Sequence, residues 1–63
     1  MNNRLINNLE VLDYISKVLS KYPELRFTQL LYYCDIDTDK DFYDEPETTL
    51  QKLKTKLPLT ENN

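Results

Sequence analysis

The sequence predicts an all-α protein, a compact domain of three helices in which one long amino-terminal helix is joined by two shorter ones, with an acidic loop between the latter two. Three observations carry this expectation. Apolar residues recur at steps of three and four, not two, through the first third of the chain. Pro23, Pro46 and Pro58 stand where the helical runs stop or start. Glycine is absent from all 63 residues, which removes Asn-Gly hairpin turns and phosphate-cradling loops.

The first helix is expected over about residues 3–22. Leu5, Leu9, Leu12, Ile15, Leu19 and Tyr22 form its stripe, widened by Ile6, Val11 and Val18. Asn7, Glu10, Asp13, Ser16, Lys17 and Ser20 fall mainly on the other side, and Asp13 and Lys17 form a favourable i,i+4 pair. Pro23 ends the helix, because the residue before a proline is pushed toward extended geometry. A second helix is expected over about 26–34, with Phe27, Leu30, Leu31 and Cys34 on one face. A strand through Gln29–Cys34 competes, since Tyr-Tyr-Cys suits a strand, but no alternation supports it.

From Asp35 to Glu45 the chain is a polar loop in which Ile36, Phe42 and Tyr43 are the expected anchors into the core. Asp44, followed three residues later by Glu47 and with Pro46 in the first turn, predicts an N-terminal capping box. The third helix is then expected over about 45–57, with Leu50, Leu53 and Leu57 inward. Lys52, Lys54 and Lys56 stand toward its carboxyl end, where the helix dipole favours cations. Pro58 stops this helix, and 58–63 is expected as a frayed tail.

A chain this short buries only about 60% of the surface it exposes when unfolded, so a second core is excluded and outside support is expected. One cysteine and no histidine exclude an internal disulfide and the common zinc sites. By elimination, a homo-oligomer, most simply a dimer, is the expected support, the alternatives being a well-packed monomer and folding on a partner. The amino-terminal apolar pattern is broken too often for a secretory or membrane-spanning segment, which predicts a cytoplasmic protein with no membrane association.

Net charge is −3, unevenly placed: residues 35–47 hold seven acids and one lysine, a balance of −6, while the rest of the chain carries +3. That acidity disfavours nucleic acid as a partner. Catalysis is not expected either. There is no histidine, no nucleophile beside an evident base, and no carboxylate pair in an apolar setting. Cys34 follows the apolar face of the second helix and reads as core. No cofactor is implied.

Two candidate surfaces remain. Asp35, Asp37, Asp39 and Asp41 have the alternate spacing of an EF-hand loop, but Lys40 and Pro46 stand where glycine and a bidentate glutamate belong. The alternatives are a solvated loop with capping carboxylates and an acidic docking surface for a basic protein, centred on Asp37, Asp39 and Asp41. Tyr32 and Tyr33 cannot both face one core, and tyrosine is enriched at interface hot spots, so these two with Tyr43 form a candidate contact surface.

The segment Tyr22-Pro23-Glu24-Leu25-Arg26-Phe27, with Gln29-Leu30-Leu31 and then Asp41-Phe42-Tyr43 and Glu45, resembles a group of short, uncharacterised bacterial and bacteriophage proteins. The resemblance spans Tyr22 to Leu53, about half the chain. Members often carry glycine where Thr28 stands and a more acidic pair where Pro46 follows Glu45. It implies a setting more than an activity, and it groups Arg26, Gln29, Asp41 and Tyr43. Arg26 is expected to bridge to Asp41 or Asp44, a structural role; the competing reading makes Arg26, Gln29 and Tyr43 part of a recognition surface. The functional expectation is a small acidic protein-binding module, in such a setting an inhibitor of host or defence machinery acting by occlusion. The alternatives are a divalent-cation module built on the aspartate loop and a passive assembly component.

Overall fold

A computed structural model of the chain describes residues 2–59. Its elements are α1 (Asn3–Lys21), α2 (Phe27–Tyr33) and α3 (Pro46–Lys56), with no strand among the described residues. The predicted bounds are met to within one residue at each end. Asn2 caps α1 by accepting the Leu5 N–H at 3.2 Å. The helix closes at Tyr22, whose N–H reaches the Val18 carbonyl at 2.9 Å, and Pro23 prevents its continuation.

The core is small. Val18 of α1, Leu30 of α2, Cys34 just after α2 and Leu53 of α3 are fully buried, and Val11, Tyr14, Ile15, Leu19, Leu25, Leu31, Ile36, Leu57 and Leu59 pack around them. Burial pushes the Cys34 thiol above its ordinary value, and nearby Lys56 only partly counters it. The cysteine is therefore a core side chain. α1 and α3 make the principal helix–helix contact. Arg4 meets Glu45 at the start of α3, and Tyr14 meets Leu57 at its end, so the two helices run in the same direction with α2 and the acidic loop as the return path.

Several inward expectations are overturned. Phe27 is half exposed, and Phe42 and Tyr43 point into solvent instead of anchoring the loop; of the three predicted anchors only Ile36 packs on the core. Leu5, Leu9, Leu12 and Tyr22 are also exposed. The reason is geometric. α1 turns its Val11, Ile15 and Val18 side to the core, and a helix has only one side facing a given neighbour.

The carboxyl end is fastened by a residue that has no part in the predicted stripe. The Tyr14 hydroxyl donates to the Leu57 carbonyl at 2.7 Å and accepts the Leu59 N–H at 3.0 Å. Leu59 is thus held against the core instead of fraying, while residues 60–63 of the predicted tail lie outside the described residues. The phenol satisfies one of the open carbonyls at the end of α3.

α2 ends in a complete Schellman motif. The Asp35 N–H bonds the Tyr32 carbonyl at 3.1 Å, the Ile36 N–H bonds the Leu31 carbonyl at 2.9 Å, and Leu31 and Ile36 both pack on the core. The motif needs a left-handed residue between them. With no glycine in the chain, Asp35 takes that place at φ 57°.

Tyr14→Phe removes both phenol bonds and is expected to lower unfolding stability by about 1–2 kcal/mol, read from urea denaturation. Asp35→Gly is expected to raise it by up to about 1 kcal/mol, since glycine relieves the left-handed cost but gives part of it back as unfolded-state entropy. A loss of stability in the glycine variant would show that the aspartate side chain matters more than its backbone angle.

Candidate functional site

The acidic loop folds around its own carboxylates. Asp37 Oδ1 accepts the N–H groups of Asp39 at 2.8 Å and Lys40 at 3.3 Å, while Asp41 Oδ2 accepts the Asp37 N–H at 3.1 Å. The Asp41 N–H closes the turn on the Asp37 carbonyl at 2.8 Å. Alternate aspartates therefore serve backbone capping, the local use for which short carboxylate side chains are suited. Among the described residues no three ligand-type side chains converge on a point where a metal ion would sit.

Lys52 fixes this loop to α3. Its ammonium lies 2.7 Å from Asp41 Oδ2, 3.7 Å from Asp44 Oδ2 and 3.2 Å from the Asp35 carbonyl oxygen. The bridge expected from Arg26 to Asp41 or Asp44 is thus replaced, because both acids turn toward α3. Arg26 instead occupies the N-cap of α2, where its backbone N–H donates to Gln29 Oε1 at 2.9 Å. A guanidinium has no acceptor with which to return that bond. The Asp44–Glu47 capping box is absent as well. Glu45 is the N-cap of α3 and makes no side-chain cap bond. Its carboxylate receives Arg4 Nε and Nη2 at 2.9 and 2.8 Å, a bidentate pair joining the starts of α1 and α3.

The residues predicted for partner binding do not form one surface. Gln29, Tyr32 and Tyr33 lie with Thr28 along the open side of α2. Tyr32 and Tyr33 also line a shallow groove with Leu31, Asp35, Ile36, Asp37 and, on its far side, Lys56. Their rings meet edge to face, with centroids 6.4 Å apart, and Tyr32 is 84% exposed. Tyr43 is 90% exposed and packs edge to face on Phe42 at 4.9 Å, a second aromatic pair on the loop. Asp39 projects from the loop into solvent. Asp41 stands apart, being turned inward to Lys52, and Arg26 is taken up by the start of α2.

Sequence reasoning missed Lys52 and Asp35. Lys52 reads as one of three dipole-favoured lysines, yet it sits in the middle of α3, and only Lys54 and Lys56 occupy the last turn. The available signal was the balance of −6 over residues 35–47, which needs a counter-charge from a neighbouring helix.

No helix among the described residues is long and apolar enough to cross a membrane. No protein-family model matches the chain, and no curated protein and no solved structure proves similar to it.

Asp41 is held below its ordinary value of 3.8, first by the hydrogen bond from Lys52 and then by the Asp37 N–H, and Lys52 is raised above 10.5 by the same bond. A depressed carboxylate contributes stability that is present above its unfolded value and lost as pH falls through its folded one. Wild-type stability is therefore expected to decline below about pH 4. Asp41→Asn should be less stable at neutral pH, have a flatter acid limb and converge with the wild type in strong acid. Parallel urea-midpoint curves for the two proteins would show that the clamp adds nothing to the fold.

Proposed function

We propose that the protein is a binding module for another protein, engaging it through the aromatic groove at the end of α2 and the acid-rich rim beside it. The observation that supports this reading is the exposure of Tyr32 and Tyr33 next to Asp35 and Asp37. Large aromatic side chains are the residues that most often dominate interface energetics. Here they stand on a helix whose end is locked by the Schellman motif, so little ordering is required when a partner docks. The adjoining carboxylates favour a basic partner, by steering the encounter and excluding acidic competitors. In the bacterial or bacteriophage setting that the resemblance implies, the consequence would be occlusion: a small domain covering a basic working surface of a host or defence protein.

The aspartates divide by role under this reading. Asp37 and Asp41 shape the loop and the Asp35 carboxylate lies 3.9 Å from the Lys40 ammonium, whereas Asp39 offers its carboxylate outward. Reversing Asp41 would place two ammonium groups together and test the fold, so the informative changes are Tyr32→Ala, Tyr33→Ala and Asp39→Lys. The tagged protein is passed over bacterial lysate at low and high salt, a stoichiometric partner is identified, and its affinity is measured with purified components. The double tyrosine variant is expected to bind at least about 30-fold more weakly, with helicity unchanged. Asp39→Lys should weaken binding mainly at low salt. Affinity within threefold of the wild type for the tyrosine variant would end the proposal.

A further inference from the structure

Two large aromatic residues occupy a place where the core has no use for them. The Asp44 N–H bonds the Asp41 carbonyl at 2.9 Å, closing a β-turn whose central residues are Phe42 and Tyr43. Turns draw chiefly on glycine, proline, asparagine, aspartate and serine. Phe42 is 72% exposed and Tyr43 more so, and neither packs on the core. The pair thus departs from turn chemistry and from burial at once, and departures of that kind are expected at functional sites. The turn is also held in place. Asp41 and Asp44, the residues on either side of the pair, direct their carboxylates to the same Lys52 ammonium, at 2.7 and 3.7 Å. The two rings brace each other edge to face. They form one knob, ordered before any partner arrives.

We propose that the Phe42–Tyr43 turn inserts into an apolar pocket with a basic rim on a partner protein. The inference rests on the reading of the protein as a binder of a basic partner, and adds to it a contact on the loop that the α2 groove does not contain. Charge selects the occupant. Residues 35–47 hold a balance of −6, and among the described residues the bases from outside the segment that pair with it are Arg4 and Lys52, which leaves −4. A surplus of that sign in the segment that carries the knob attracts lysine and arginine and repels nucleic acid and anionic lipid. It disfavours a second copy as well. In the α2 groove Asp35 and Asp37 outnumber Lys56, and in the groove beside Leu9 the acids Glu10 and Asp13 offset Lys17 and Lys54, so neither offers a basic rim. A pocket suits the knob better than a flat patch, because aromatic anchors contribute most when a partner encloses them fully.

The test has two parts. The full chain carrying Tyr43→p-benzoylphenylalanine is irradiated in bacterial lysate, and the crosslinked peptide is mapped by mass spectrometry. The expected product joins position 43 to an apolar segment of another protein flanked by lysine or arginine, and Phe42→Ser or high salt reduces it. With that protein purified, the Phe42→Ser/Tyr43→Ser variant is expected to bind at least about 30-fold more weakly, with helicity and urea midpoint unchanged because both rings lie outside the core. A crosslink to a second copy of the chain, to a segment without basic flanks, or to nothing overturns the proposal. So does affinity within about threefold of the wild type for the turn variant. If the turn variant holds its affinity while Tyr32→Ala/Tyr33→Ala loses it, the knob fails and the groove reading stands; the reverse result supports the knob and removes the groove.

Discussion

The shape of the second half of the molecule depends on one ammonium group. Residues 35–47, which run from the end of α2 into the first turn of α3, hold a balance of −6, and such a run repels itself unless it is given a counter-charge. Lys52 supplies it from the middle of α3, reaching two carboxylates and a backbone carbonyl at once. The loop is thereby laid along the helix it leads into, and the direction of that helix relative to α1 follows. Remaining acids are either absorbed as caps within the loop or left at its outer edge.

The core alone would give little shape to a chain this short. Four fully buried side chains bring the three helices together, and specific polar contacts set their alignment. Arg4 and Glu45 align the starts of α1 and α3, and Tyr14, from the middle of α1, fixes the far end of α3 through backbone groups of Leu57 and Leu59. These contacts link positions more than forty residues apart in sequence. They explain how a molecule only 16 Å thick along its shortest axis keeps a defined arrangement.

Helix existence was legible in the sequence because periodicity and proline placement are local properties. Pro23 and Pro46 alone place two boundaries to within a residue or two. Which side of each helix faces inward was less legible. The stripe on α1 merges two faces, since Leu5, Leu9 and Leu12 share the same three-and-four rhythm as Val11, Ile15 and Val18, and only the position of α3 separates them. The loop aromatics misled for a related reason: hydrophobicity says that Phe42 and Tyr43 gain by burial, but the loop's path is dictated by Lys52 and by the Asp37–Asp41 turn, which leave them outside. At the candidate surface, the exposure of at least one of Tyr32 and Tyr33 was legible because adjacent residues on a helix point 100° apart. The pairing of the aspartates was not, because it depends on partners brought in from α3.

Asp35, in the left-handed conformation that glycine usually fills, shows how far this chain goes without that residue. Its unfolded ensemble is correspondingly narrow: every position carries a Cβ, and three are proline. Less backbone freedom is surrendered on folding than in a chain of equal length with an ordinary share of glycine. Part of the molecule's resistance to unfolding therefore resides in the disordered chain, and a small core suffices where a looser sequence would require a larger one.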